Sequence, residues 1–166
     1  MLRRLVSISA VLLAVACGAP SAPPVPATFV LFIGNSYIFT NNLPQMFATL
    51  ALAGKHPVVV DMAAPGGWTL AQHVAAGETL AKLASRQWNF VVLQEQSVIP
   101  AVPAARTAGM YPAVRDFDQR IRAVGANPVL LLTWGRRDGL PEEGFPDFVA
   151  MQEQLTVGTL TIADEL

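Results

Sequence analysis

The chain has a single cysteine, Cys17, so no intramolecular disulfide can form. With only two histidines, His56 and His73, it offers no His/Cys cluster at metal-ligand spacing, and neither a metal nor another cofactor is expected. Charged residues make up only 14% of the chain and net charge is −1. No basic stripe and no interleaving of aromatic with basic residues is present, which speaks against a nucleic-acid partner. Unbroken apolar runs fall short of the ~20 residues a helix needs to span a bilayer. There is also no internal repeat. What the chain does have is apolar residues, 52% of its 166, enough for one domain with a sizeable core.

Part of that apolar excess is local. Arg3 and Arg4 precede a run from Leu5 to Ala16 broken only by Ser7 and Ser9. A basic start, a short apolar stretch and small residues before Cys17 read as an export signal. Leu13-Ala14-Val15-Ala16-Cys17 resembles a bacterial lipobox, whose cysteine is lipidated and becomes the mature N-terminus. Ala14 stands where such boxes usually have leucine, which keeps ordinary signal cleavage open. The next residues, 18–28, carry Pro20, Pro23, Pro24 and Pro26 and no charge, a composition that suits an extended tether. The expected organisation is a signal peptide over 1–17, a tether over 18–28 and a domain over 29–166. The product would be an exported cell-envelope lipoprotein held on the membrane by several acyl chains at Cys17.

From Phe29 onward strands and helices alternate. Phe29-Val30-Leu31-Phe32-Ile33 is an apolar run of the kind found in parallel strands buried on both faces. Asn42 is a helix cap by type, and Leu43, Met46, Phe47 and Leu50 recur at helical spacing up to a stop at Gly54. Val58-Val59-Val60 predicts a second strand. After the Gly66-Gly67-Trp68 turn, Thr69 and Gln72 fit a capping box. Phe90 to Leu93 predicts a third strand, and Tyr111, Val114, Phe117, Ile121 and Val124 the inner face of a long helix. Val129 to Leu132 predicts a fourth strand, and Asp147 caps a last helix with Phe148, Met151 and Leu155. Such alternation implies parallel βαβ units with right-handed crossovers, here with strand order 2-1-3-4.

In open α/β sheets the ligand crevice lies beyond the carboxyl ends of the strands. Ser36 follows the first strand through Gly34-Asn35, Gly67 follows the second, Gln94-Glu95-Gln96-Ser97 the third and Thr133-Trp134-Gly135-Arg136-Arg137 the fourth. A serine presented by a glycine turn before a helix is placed as a nucleophile would be. The competing reading is that Ser36 or Asn42 caps helical amides. The Gly67 amide and a side-chain amide at Gln94 or Gln96 are candidate oxyanion donors.

Ile33-Gly34-Asn35-Ser36, Gly66-Gly67-Trp68-Thr69-Leu70 and Val91-Val92-Leu93-Gln94-Glu95-Gln96-Ser97 together resemble the SGNH (GDSL-type) hydrolase superfamily. The likeness is to a bacterial branch with Gly-Asn-Ser and Leu-Gln-Glu-Gln-Ser segments. It implies a three-layer flavodoxin-like fold and a metal-free serine ester hydrolase, of esterase, lipase or carbohydrate O-deacylase type. Ser36 matches the nucleophile, whose amide also serves the oxyanion hole. Gly67 matches the glycine donor, and Gln96, ahead of Gln94, stands at the family's asparagine. The family's Asp-x-x-His and fifth strand have no counterpart up to Leu166, and no histidine follows His73. The chain therefore reads as a partial hydrolase domain lacking its fifth strand, and inactive as given, because a serine hydroxyl needs a base.

Other candidates carry two readings each. His73 either approaches the site as base or packs on its helix, and His56 should lie at the opposite end of the sheet. Glu95 orients a neighbouring donor or is solvated or salt-bridged. Arg136 and Arg137 meet an acidic substrate group or pair with Asp138, Glu142 or Glu143. Trp68 and Trp134 floor a sugar or acyl pocket or pack structurally. Two functions follow: an envelope esterase acting on a small-molecule or glycan ester, or a non-catalytic lipoprotein that binds such a ligand.

Overall fold

A computed structural model of the chain describes residues 26–166. The expected signal segment, Cys17 and residues 18–25 of the expected tether lie outside the described residues. Among those described, no helix is long and apolar enough to cross a membrane.

Four parallel strands form one sheet in the order β2-β1-β3-β4, with β1 at Thr28–Ile33, β2 at Val58–Ala63, β3 at Phe90–Leu93 and β4 at Asn127–Leu130. Thr28, counted with the tether by composition, opens β1 opposite Val58. β1 lies between two neighbours, and Val30 to Ile33 are all buried, as a doubly covered strand requires. β4 starts two residues before the predicted Val129 because Asn127 already pairs with Phe90, directly after the Gly125-Ala126 turn.

Side chains alternate across β1. Leu31 and Ile33 join Val91, Leu93, Phe117, Val114, Ile121 and Trp88 in the principal core, whereas Val30 and Phe32 face the opposite side with Ile38. The first side is covered by α3 (Leu70–Ala75), α4 (Gly77–Ala84) and a long helical segment. In that segment α5 (Pro103–Ala105) runs through a π-helical stretch at Arg106–Met110 into α6 (Tyr111–Ala123). The other side is covered by α1 (Ser36–Phe39) and α2 (Leu43–Ala53). The last helix, α7 (Phe148–Ala163), adds Ile162 to the principal core and builds a satellite cluster from Met151 and Leu155 with Leu140 and Phe145.

Two caps are formed as their residue types predict. Thr69 and Gln72 make a reciprocal capping box on α3, and Asp147 accepts a hydrogen bond from the Ala150 amide. Asn42 does not cap. Its backbone is left-handed (φ 52°) and its side chain makes no cap bond, because Asn41 and Asn42 together turn the chain from α1 into α2. The face of α2 also differs from the one its spacing suggests. Pro44 and Ala48 are buried, while Met46, Phe47 and Leu50 are exposed.

Candidate active site

Ser36 is the first residue of α1, at the carboxyl end of β1. The turn that presents it is fixed by Asn35, a residue that sequence reasoning passed over. Asn35 is buried, and its Oδ1 accepts from the Tyr37 amide at 3.2 Å, so Asn35, not Ser36, caps the helix. Its Nδ2 donates to the Trp68 carbonyl at 2.9 Å, and its own amide donates to Gln94 Oε1 at 2.9 Å. One asparagine thus ties the serine turn to the loop after β2 and to the loop after β3. Its position just before a one-turn helix was the available signal, since asparagine is a preferred cap. Gly34 allows this approach: a Cβ there would stand 2.9 Å from the Gln94 Cβ and 2.9 Å from the Ile38 side chain.

The second loop carries Gly67 at φ +75°, a conformation that favours glycine. It is joined to the third loop by Glu95, whose Oε1 accepts from the Leu70 amide (3.2 Å) and the Gln96 amide (2.6 Å). Glu95 is therefore neither solvated nor salt-bridged. It is buried, and its Oε2 has no partner among the described residues. Burial pushes its carboxyl above the usual range, against the two amide bonds that favour the carboxylate.

The two glutamines differ in what they leave free. Gln94 is fully buried and engaged at both ends, its Oε1 on the Asn35 amide and its Nε2 on the Glu95 carbonyl. Gln96 is half-buried, and its Oε1 accepts from the Val98 amide at 2.9 Å. The Gln96 Nε2 donates to no protein acceptor among the described residues, and neither do the Ser36 and Gly67 amides.

His73 is fully buried on α3, and both ring nitrogens are occupied. Nε2 donates to the Gly34 carbonyl at 2.7 Å, so Nδ1 is the acceptor for the Thr79 hydroxyl at 2.8 Å. Burial lowers its basicity, and the bond to Gly34 opposes that only in part. The ring packs edge-on to Trp68 at 5.1 Å. His73 is thus a neutral strut under the serine turn, with no nitrogen left for the Ser36 hydroxyl. His56, exposed beside Pro57, precedes β2 at the amino end of the sheet. Arg137 pairs with Asp138 at 3.1 Å, both well exposed.

A parallel sheet in this order, helices on both faces and a capped serine turn tied to two loops at its carboxyl edge define a three-layer, flavodoxin-like α/β architecture. The comparisons agree. A protein of Slackia heliotrinireducens assigned to the SGNH hydrolases is 31% identical, with a TM-score of 0.69 over 84% of this chain and 76% of that one. The chain belongs to the SGNH hydrolase superfamily. Two further structures share the fold: a DUF4886 family protein from Bacteroides uniformis (18% identity, TM-score 0.68, 84% of this chain and 64% of that one) and an acetyl-xylooligosaccharide esterase from Geobacillus (13%, 0.58, 86% and 75%). No family model and no curated protein matches the chain.

Proposed function

We propose that the chain carries the nucleophile and oxyanion donors of a serine ester hydrolase that acts in the cell envelope on a small-molecule or glycan ester. The observation that carries this reading is the set of three unengaged donors, the Ser36 and Gly67 amides and Gln96 Nε2, on loops hydrogen-bonded to one another around Asn35 and Glu95. In the reaction, Ser36 Oγ attacks the ester carbonyl carbon as its proton passes to a base. The three donors hold the developing oxyanion, where prearranged dipoles act most strongly. Collapse of the tetrahedral intermediate expels the alcohol, which takes the proton, and water then releases the acid from the acyl-enzyme. Gln94, locked at both ends, supports the turn, which favours Gln96 as the side-chain donor.

The base is the part these residues do not supply, since His73 is engaged and His56 lies at the far edge. Little hydrolysis of p-nitrophenyl acetate is therefore expected from the 166 residues, and hydrolysis from a version continued through an in-frame Asp-x-x-His if the source DNA encodes one. In that longer protein Ser36→Ala should abolish turnover, and Gln96→Ala should lower kcat by about 10²–10³. Activity retained in Ser36→Ala would refute the serine mechanism. The engaged state of His73 also favours a second reading, a lipoprotein that binds an ester or glycan without cleaving it. Binding without turnover in the continued protein would select it. Export rests on Arg3 to Ala16 and anchoring on Cys17. Mass spectrometry of the envelope fraction should find a lipidated Cys17 at the mature N-terminus, and an unmodified cysteine would refute the anchor.

A further inference from the structure

Trp134 is exposed at 55%, yet Thr133 and Gly135 on either side of it are buried. The backbone around it is pinned to α7. Gln152 Oε1 accepts from the Gly135 amide at 2.9 Å, and Gln152 Nε2 donates to the Thr133 carbonyl at 3.3 Å. The Arg136 amide donates to Met151 Sδ at 3.3 Å. Space at Gly135 is tight, since a Cβ there would lie 3.0 Å from the Phe148 carbonyl oxygen and 3.3 Å from the Gln152 amide nitrogen. One face of the indole stacks on Tyr37, with ring centroids 4.8 Å apart and planes 4° from parallel. Tyr37 is the residue after Ser36, so this aromatic pair begins one residue from the serine hydroxyl.

An indole left half in water forgoes part of the stabilisation that burying a large apolar surface gives. This one nonetheless sits on backbone pinned to α7 at Thr133, Gly135 and Arg136, with one face fixed on Tyr37. A rigid aromatic surface of that kind loses little conformational entropy when something settles on it. We propose that the Tyr37–Trp134 stack is a binding platform for a pyranose ring, so that the alcohol part of the ester is a sugar. This rests on the ester-hydrolase reading of Ser36. The chemistry of the surface selects the ligand. The face of an indole carries negative charge density, which attracts the weakly positive axial C–H groups of a pyranose. An open plate leaves the sugar's hydroxyls in water or against the exposed neighbours Arg136, Arg137 and Asp138. A long alkyl chain would need enclosure on more than one side to shed its hydration, which a single flat face does not give.

The test is a titration of the full chain, kept in mild detergent, with cellotetraose, O-acetylated cellotetraose and methyl benzoate. It reads tryptophan fluorescence and the indole N–H resonances. Both saccharides should shift the Trp134 resonance, identified by its loss in Trp134→Phe. Trp134→Ala should weaken saccharide binding about tenfold and Trp134→Phe about threefold, with circular dichroism unchanged. An unmoved Trp134 resonance, or saccharide affinity equal in Trp134→Ala, overturns the platform. So does methyl benzoate binding through Trp134 when neither saccharide does. Saccharide binding that depends on Trp134, without turnover in the protein continued through Asp-x-x-His, supports the platform and counts against the hydrolase reading. Turnover with saccharide binding indifferent to Trp134 overturns the platform alone.

Discussion

On one face of the sheet Leu31, Ile33, Val91 and Leu93 are sealed under α3, α4 and α6, with Trp88, Val114, Phe117 and Ile121 fully or nearly fully buried. On the other face, among the described residues, the helices over Val30 and Phe32 are α1 and α2, and Ile38 is the one further residue of that cluster to be buried. Around it Met46, Phe47, Leu50 and Leu52 of α2 and Val129 of β4 remain exposed among the described residues. The polar groups beneath the serine turn follow the same division. His73 belongs to α3 and Glu95 holds the first amide of α3, so both lie on the densely packed side. Dense packing is what makes those groups consequential. A buried polar atom far from water depends on its few partners, whereas an exposed leucine depends on none.

The largest effect should come from the dense face. Phe117→Ala should lower stability by about 3–5 kcal/mol in urea unfolding, the cost of a cavity that α6 cannot close. A loss near 1 kcal/mol would mean that this core is looser than its burial implies. Next comes the strut. His73→Gln should cost about 1–3 kcal/mol by disturbing the bonds to Gly34 and Thr79. The native protein binds a proton at His73 less readily than the unfolded chain does. Its contribution is therefore present above the ordinary value of 6.5 and lost as pH falls below it. Stability curves between pH 5 and 8 should show that slope in the wild type and not in His73→Gln.

Glu95 has the opposite sign. Its folded carboxyl holds its proton above the ordinary 4.5, so the native state is favoured below that value and loses stability as pH rises through the raised one. Glu95→Gln keeps an oxygen for the Leu70 and Gln96 amides and removes the charge. It should lose less stability than the wild type as pH rises toward neutral, and an unchanged slope would show that the Glu95 carboxyl titrates alike in the folded and unfolded chain. The smallest effect belongs to the open face. Leu50→Gln should change stability by no more than about 0.5 kcal/mol, as for other surface positions. A cost well above 1 kcal/mol would show that something covers α2 in solution.

Much of the architecture was legible because it is written in local chemistry. The run from Phe29 to Ile33 specifies a strand covered on both sides, Thr69 with Gln72 specifies a helix start, and Asp147 does so again. The alternation of these elements implied the order 2-1-3-4 found in the sheet. α2 was misread for a definable reason. Its sequence Leu-Pro-Gln-Met-Phe-Ala-Thr-Leu-Ala-Leu-Ala is apolar on nearly every side, so spacing alone does not choose the inward face. Contact with β2 chose Pro44 and Ala48.

The site divides in the same way. The three motifs, and with them the family and the position of Ser36 at the strand end, are properties of the sequence. Tertiary structure decided which polar groups are tied and which are free: Gln94 locked and Gln96 open, His73 a strut, Glu95 buried, Asn35 the hub. Four of the bonds that decide this, Asn35–Gln94, Asn35–Trp68, Leu70–Glu95 and His73–Gly34, join residues 25 to 59 positions apart. Local propensity carries no information on such pairs, because the energy of a buried hydrogen bond exists only once the fold has brought donor and acceptor together and removed the water between them.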